Sequence, residues 1–179
     1  MANSLGGTIE RLRGLIRDVP DFPKPGILFR DVTPLLADPA AFALAIELIA
    51  QPFRSVRIDR VLGVESRGFI FGTAVADHLS AGFMPVRKPG KLPRPTRRHE
   101  YELEYGTDAL EVHAEDLLPG QRVLVVDDLL ATGGTINASC SLAEGLGAEV
   151  VGIAVLIELT ALSGRERVGD RRVHSVLAY

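Results

Sequence analysis

The chain has 179 residues, enough for one domain that buries roughly 70% of the surface its unfolded form would expose, and its 46% hydrophobic and 24% charged residues exclude disorder, collagen and a coiled coil. Twenty Lys and Arg against 23 Asp and Glu leave a net charge of −3, which speaks against nucleic-acid binding driven by bulk charge. Cys140 is the single cysteine, so an internal disulfide and a thiolate zinc cluster are both excluded. The first twenty residues lack the pattern of a secretion leader, no uncharged stretch reaches the roughly 18 residues of a membrane span, and the expectation is a cytoplasmic protein.

Leu5, Ile9, Leu12 and Ile16 recur at spacings of three and four, which predicts an amphipathic N-terminal helix ending near Pro20. From there to Pro39, the prolines at 20, 23, 25, 34 and 39 punctuate Ile27-Leu28-Phe29 and predict an ordered loop. A helix follows, with Asp38 as its cap and Pro39 in its first turn. Apolar runs at 61–64, 123–126 and 150–157 read as buried strands. The first two are each followed by a loop and a helix-like stretch. That alternation predicts an α/β fold, a mostly parallel sheet flanked by helices with ligands outside the carboxyl ends of its strands. The region 83–112 interrupts it with a Pro-rich basic loop, then a strand, Gly106 and an alternating strand, which predicts a hairpin able to serve as a mobile lid.

The run VLVVDDLLATGGT at 123–135 carries the most chemistry. An apolar strand enters Asp127 and Asp128, then the small loop Ala131, Thr132, Gly133, Gly134 and Thr135, then a helix. Backbone N–H groups and two hydroxyls at a helix N-terminus suit a phosphate monoester, and glycine lets the anion approach the backbone. Two adjacent carboxylates suit vicinal hydroxyls, so the whole matches a ribose 5-phosphate. The alternative is a Gly-rich strand-to-helix turn whose acids only cap the helix. A triphosphate P-loop is excluded, because no lysine follows the second glycine.

That run resembles the phosphoribosyl-pyrophosphate signature of the type I phosphoribosyltransferases. DFPKPGILFRDVTPLL (21–36), VESRGFIFG (64–72), VRKPGKLP (86–93) and YELEYGTDALEVH (101–113) resemble the adenine-using branch of that family. The resemblance implies a single domain over 1–179 with a hood at about 1–37 and a lid at about 88–112. It implies that Glu65, Ser66, Arg67 and Gly68 form a pyrophosphate turn, often with a non-proline cis peptide. Arg87, Lys88 and Lys91 would add charge there, and some of these cations would reach a neighbouring subunit's site, which implies a homodimer. Leu28, Phe29 and Arg30 would lie nearest the base. Tyr101 and Tyr105 would sit on the lid, with Glu104 as proton donor or acceptor for the purine. Each has a plainer reading as well: a surface arginine, a solvated basic loop, an apolar plug, a solvated hairpin acid.

The activity so implied is transfer of ribose 5-phosphate from phosphoribosyl pyrophosphate (PRPP) to adenine, giving AMP and pyrophosphate. Magnesium would be held mainly by the substrate and waters rather than by protein ligands. Two alternatives stay open at this stage: a hypoxanthine or xanthine phosphoribosyltransferase, and a non-catalytic PRPP-binding regulator. His78, His113 and His174 are scattered, and His99-Glu100 lacks the second histidine of a zinc-protease motif.

Overall fold

Five strands line up in parallel to form the central sheet, the middle three of them apolar runs that bury both faces. The structure, a computed structural model, describes residues 2–102 and 106–179. It divides into a unit of residues 1–47 and a unit of residues 48–179.

In the first unit, α1 (Ala2–Arg13) is followed by β1 (Arg17–Pro20), which pairs antiparallel with β2 (Leu28–Asp31). The helix ends earlier than its apolar spacing predicts. Gly14, a poor helix former, is followed by tighter bonds from Leu15 N–H to Leu12 O and from Ile16 N–H to Arg13 O, and the chain then turns extended. The stretch expected to be a loop thus contains a short strand pair, which fits between its prolines because Pro20 closes β1 and Pro23 and Pro25 fall in the connection. A short α2 (Thr33–Ala37) leads to α3 (Pro39–Ala50). Asp38 caps α3 as predicted, its Oδ1 accepting from the N–H groups of Ala40 (3.0 Å) and Ala41 (2.9 Å).

The second unit holds β3 (Arg60–Val64), α4 (Gly68–His78), β4 (Gly82–Val86), β5 (Thr96–Glu102), β6 (Thr107–His113), β7 (Arg122–Leu130), α5 (Gly134–Gly145), β8 (Glu149–Glu158), α6 (Gly164–Val168) and β9 (Val173–Ala178). The main sheet runs β4-β3-β7-β8-β9, all parallel. Val61, Leu62, Val123 to Val126 and Ile153 to Leu156 are wholly buried, as strands covered on both faces require. The chain steps from β3 outward to β4, then returns to place β7 on the other side of β3. That reversal opens a crevice at the carboxyl ends of β3 and β7, where ligands bind in open α/β sheets.

Three details depart from the expectation. β7 continues through both acids to Leu130, and β4 and β9 are strands the apolar runs did not announce. The hairpin is present, but β5 begins at Thr96, inside the stretch read as a basic loop, pairing Thr96 with His113 and Glu102 with Thr107.

Candidate active site

β3 and β7 deliver the site from neighbouring positions in the sheet. β3 ends at Val64, and Glu65, Ser66 and Arg67 turn the chain into α4, with a cis peptide between Glu65 and Ser66. β7 carries Asp127 and Asp128 on its last residues, and the loop that follows enters α5. These segments line one pocket of about 310 Å³, walled by Glu65, Ser66, Arg67, Asp127, Asp128, Leu129, Ala131, Thr132, Gly133, Gly134, Thr135 and Ile136. All seven expected ribose-phosphate residues are therefore together, and with them three of the four from the pyrophosphate turn. Gly68 begins α4 behind the wall, where a Cβ would stand 2.7 Å from Asp127 Oδ1.

Of the three acids on the wall, Asp127 and Asp128 stand side by side, and Arg67 is the one cation among the lining residues. Arg67 Nε donates to Asp128 Oδ2 at 2.5 Å, and Asp128 is 5% exposed. The Asp128 N–H donates to Asp127 Oδ1 at 2.8 Å. Burial and the neighbouring Asp128 charge push the Asp127 carboxyl well above the ordinary aspartate range. At the far side, α5 is a twelve-residue helix with no side-chain cap, so its first N–H groups point at the pocket without intrahelical partners.

Gly133 has φ +81°, and a Cβ on it would approach within 2.5 Å of the Gly164 carbonyl oxygen. The glycine is thus required by backbone conformation and by packing against α6, beyond the anion access read from the sequence. Gly133 is buried. Gly164 in turn seats against the Ala131 carbonyl.

The other expected cations lie outside that lining and are organised by Glu65. Glu65 Oε2 accepts from Arg87 Nε at 3.1 Å and from the Lys88 N–H at 3.0 Å, and the Arg87 bond holds the Glu65 carboxyl below its usual range. Arg87 also lies over the Phe69 ring at 5.8 Å and donates to the Lys91 carbonyl at 3.3 Å. Lys88 Nζ is paired with Asp108. Arg67, Arg87 and Lys88 each meet a carboxylate, so these cations do not form a bare basic patch.

Tyr101, on β5, is 8% exposed; its hydroxyl lies 3.2 Å from Asp108 Oδ2 and 3.4 Å from Thr135 Oγ1. Glu104 and Tyr105 lie outside the described residues. Leu28, Phe29 and Arg30 form β2 in the first unit; Phe29 meets Phe22 edge-on with centroids 5.1 Å apart, and Arg30 pairs with Asp18. The sequence reading missed Asp108 and the α6 residues Gly164 and Arg167. Asp108 had a usable signal, an acid directly opposite Tyr101 in the hairpin register. Nothing in the local pattern marks Arg167.

Among the described residues, no group of three or more His, Cys, Asp or Glu side chains could hold a metal ion, and no helix is long and apolar enough to cross a membrane. Residues 31–177 match the model of the phosphoribosyl transferase domain. The chain is similar to the adenine phosphoribosyltransferase of Methylococcus capsulatus, 60% identical over 96% of this chain and all of the relative. It is 56% identical to that of Rhodopirellula baltica over 94% of this chain and 82% of the relative. Among solved structures, the adenine phosphoribosyltransferase of Rhodothermus marinus superposes with a TM-score of 0.94 at 52% identity, covering 97% of this chain and 99% of the other. The Saccharomyces cerevisiae enzyme, complexed with an imino-altritol bisphosphate and adenine, gives 0.90 at 37% identity over 96% and 99%.

Proposed function

The chain belongs to the phosphoribosyl transferase family, and on that premise we propose that it is the purine-salvage enzyme that converts adenine and PRPP to AMP and pyrophosphate. One observation carries the reading: an acid pair and an α5 N-terminus share a single pocket, in a chain similar over nearly its whole length to adenine phosphoribosyltransferases. AMP formation from adenine and PRPP, followed by chromatography, tests it.

In this reading the N–H groups at the start of α5 and the hydroxyls of Thr132 and Thr135 receive the 5-phosphate. Asp127 and Asp128 accept from the ribose hydroxyls. Ser66 and Arg67 hold the pyrophosphate, with Arg87, Lys88 and Lys91 beside them, and Glu65 acts by holding Arg87 rather than by touching an anion. Breaking the bond from C1 to pyrophosphate leaves positive charge on the ribose and negative charge on the leaving group. Cations fixed in advance stabilise that separation with little reorganisation.

The base nitrogen then bonds to C1 and gives up its proton. Glu104 is the group we assign to that proton. Leu28, Phe29 and Arg30 receive the base; Leu28 is 46% exposed and Phe29 is braced by Phe22, an apolar surface of the kind a purine stacks on.

Magnesium would be held mainly by PRPP oxygens and waters, since among the described residues no group of three or more acids, histidines or cysteines could hold it and Asp128 is already paired with Arg67. When bound with PRPP it would draw charge from the pyrophosphate oxygens. The buried, reduced Cys140 is compatible with a cytoplasmic setting. The working assembly is a homodimer in which part of the basic loop serves the neighbouring subunit.

A further inference from the structure

Arg167 sits on α6, a helix whose first residue, Gly164, packs on the phosphate loop. A Cβ on Gly133 would lie 3.2 Å from the Arg167 Cβ, and a Cβ on Gly134 would lie 3.8 Å from its Cζ, so the side chain runs along both loop glycines. It ends on the hairpin, where one guanidinium nitrogen donates to the backbone carbonyl of Glu102 at 2.6 Å. Glu102 is the last residue of β5.

A second contact joins the same two parts. The Tyr101 ring packs on the α5 terminus, 3.7 Å from where a Gly134 Cβ would stand, and its hydroxyl lies 3.4 Å from Thr135 Oγ1. The partners of Asp108 settle the direction of that contact. Burial opposes its ionisation, but the bonds from Lys88, the Ala109 N–H and Tyr101 prevail and hold its carboxyl below the usual range. An ionised carboxylate only accepts, so Tyr101 donates to Asp108, and its oxygen is left to accept from Thr135.

We infer that Arg167 and Tyr101 are positioning residues that tie strand β5 to the phosphate-binding loop, so that occupancy of the 132–135 anion site is transmitted to the hairpin. The inference rests on the proposed reading of that loop as the 5-phosphate site. Neither residue lines the pocket, so neither role follows from substrate contact. A ligand that immobilises the loop stabilises both ties, and coupling of this kind is reciprocal. The hairpin strand leads directly to Glu104, so a loosened β5 costs alignment for catalysis more than it costs ground-state binding.

Amide hydrogen exchange of the full chain with and without ribose 5-phosphate, with calorimetry on the same samples, tests this. In the unaltered protein, ribose 5-phosphate slows exchange across 97–102 and 107–112 by about tenfold. In Arg167→Ala and in Tyr101→Phe, which keeps the ring and removes the hydroxyl, that slowing falls below about threefold, while affinity for ribose 5-phosphate changes less than about fivefold. In the complete reaction kcat drops about tenfold with KM for PRPP little changed, and Arg167→Lys recovers part of the loss. Ligand-induced slowing equal to that of the unaltered protein in both variants overturns the inference, as does bound ribose 5-phosphate that leaves the unaltered hairpin unprotected. Absence of any ribose 5-phosphate binding to the unaltered protein overturns the reading of the pocket itself, and the inference with it.

Discussion

Arg67 and Asp128, 61 residues apart, are joined by a guanidinium-to-carboxylate bond of 2.5 Å across the ends of β3 and β7. The bond joins two of the segments that wall the pocket, and it gives the nearly buried Asp128 a charged partner. Asp128→Asn removes the carboxylate charge that Arg67 Nε donates to and, in the proposed reading, replaces one of two oxygens facing the ribose with an N–H donor. The expected result is a KM for PRPP raised about tenfold to a hundredfold, the scale of one charged hydrogen bond, in a chain whose circular dichroism is unchanged. Steady-state kinetics at saturating adenine measure it, and a KM within twofold of the unaltered value removes Asp128 from substrate binding.

Asp127 gives a prediction in pH. Its carboxyl titrates at the ordinary aspartate value, 3.8, in the unfolded chain, and well above that in the folded one, where burial and Asp128 oppose its charge. Between the two values the folded chain holds a proton that the unfolded chain has lost. Stability therefore falls as pH rises through that window, and the whole penalty is present above it. Asp127→Asn removes the penalty while its amide oxygen still accepts the Asp128 N–H. The variant is expected to melt about 3 °C higher at neutral pH, to show no gain below pH 3.8, and to lose PRPP affinity. Calorimetric scans across pH check the sign, and equal Tm gains at both ends would disprove the linkage.

Gly133 separates conformation from chemistry. Replacement by Val places a branched side chain at φ +81° and drives its Cβ into the Gly164 carbonyl, so the variant is expected to lose about 3 kcal/mol of stability before substrate is added. Thr132→Val meets neither obstacle. It is expected to fold normally and to raise KM for PRPP several-fold. Urea unfolding of both proteins distinguishes the two roles, and equal stability of Gly133→Val would discount the packing argument.

Cys140 is wholly buried, and burial pushes its thiol up to about 12. The folded protein is expected to resist a thiol-specific disulfide reagent at pH 8 and to react at once in denaturant. Rapid labelling under native conditions would reveal opening of α5, the helix that follows the proposed phosphate loop.

The parts of this site written in consecutive residues were legible from the sequence, and the parts made by tertiary contact were not. VVDD followed by ATGGT announces a strand, two acids and a helix start, and the pocket assembles all of them. The strand's end at Leu130 was hidden because aspartate is a poor strand former, overridden here by parallel pairing to β8 on one side. β1 and β2 are four residues each and crowded by prolines, too short for any period to show. The resemblance groups Glu65 with the pyrophosphate residues; only the fold reveals Arg87, 22 positions on, as its partner. Arg167 lies in a short helix with no apolar period, and its acceptor is a backbone carbonyl 65 residues away, which no side-chain pattern could mark.

The last prediction concerns the base. Adenine presents an N6 donor beside an N1 acceptor, whereas hypoxanthine and guanine present an O6 acceptor beside an N1 donor. A hood that reads this edge through backbone groups near Leu28 and Arg30 leaves buried donors and acceptors unmatched when a 6-oxopurine enters. Unmatched polar groups discriminate by roughly 10⁴-fold, far more than a missing methylene can. Hypoxanthine and guanine are therefore expected to show kcat/KM values about 10⁴-fold below that of adenine. In the proposed reading Phe29 supplies a face rather than an edge, and Phe22 braces its ring at 5.1 Å. Phe29→Ala should thus weaken every purine by about tenfold through lost stacking and leave the order of preference intact. Kinetics with the three bases, on both proteins, measure this. Comparable kcat/KM for adenine and hypoxanthine in the unaltered enzyme would refute edge reading by the hood, and a preference reversed by Phe29→Ala would move the discrimination from the backbone to the ring.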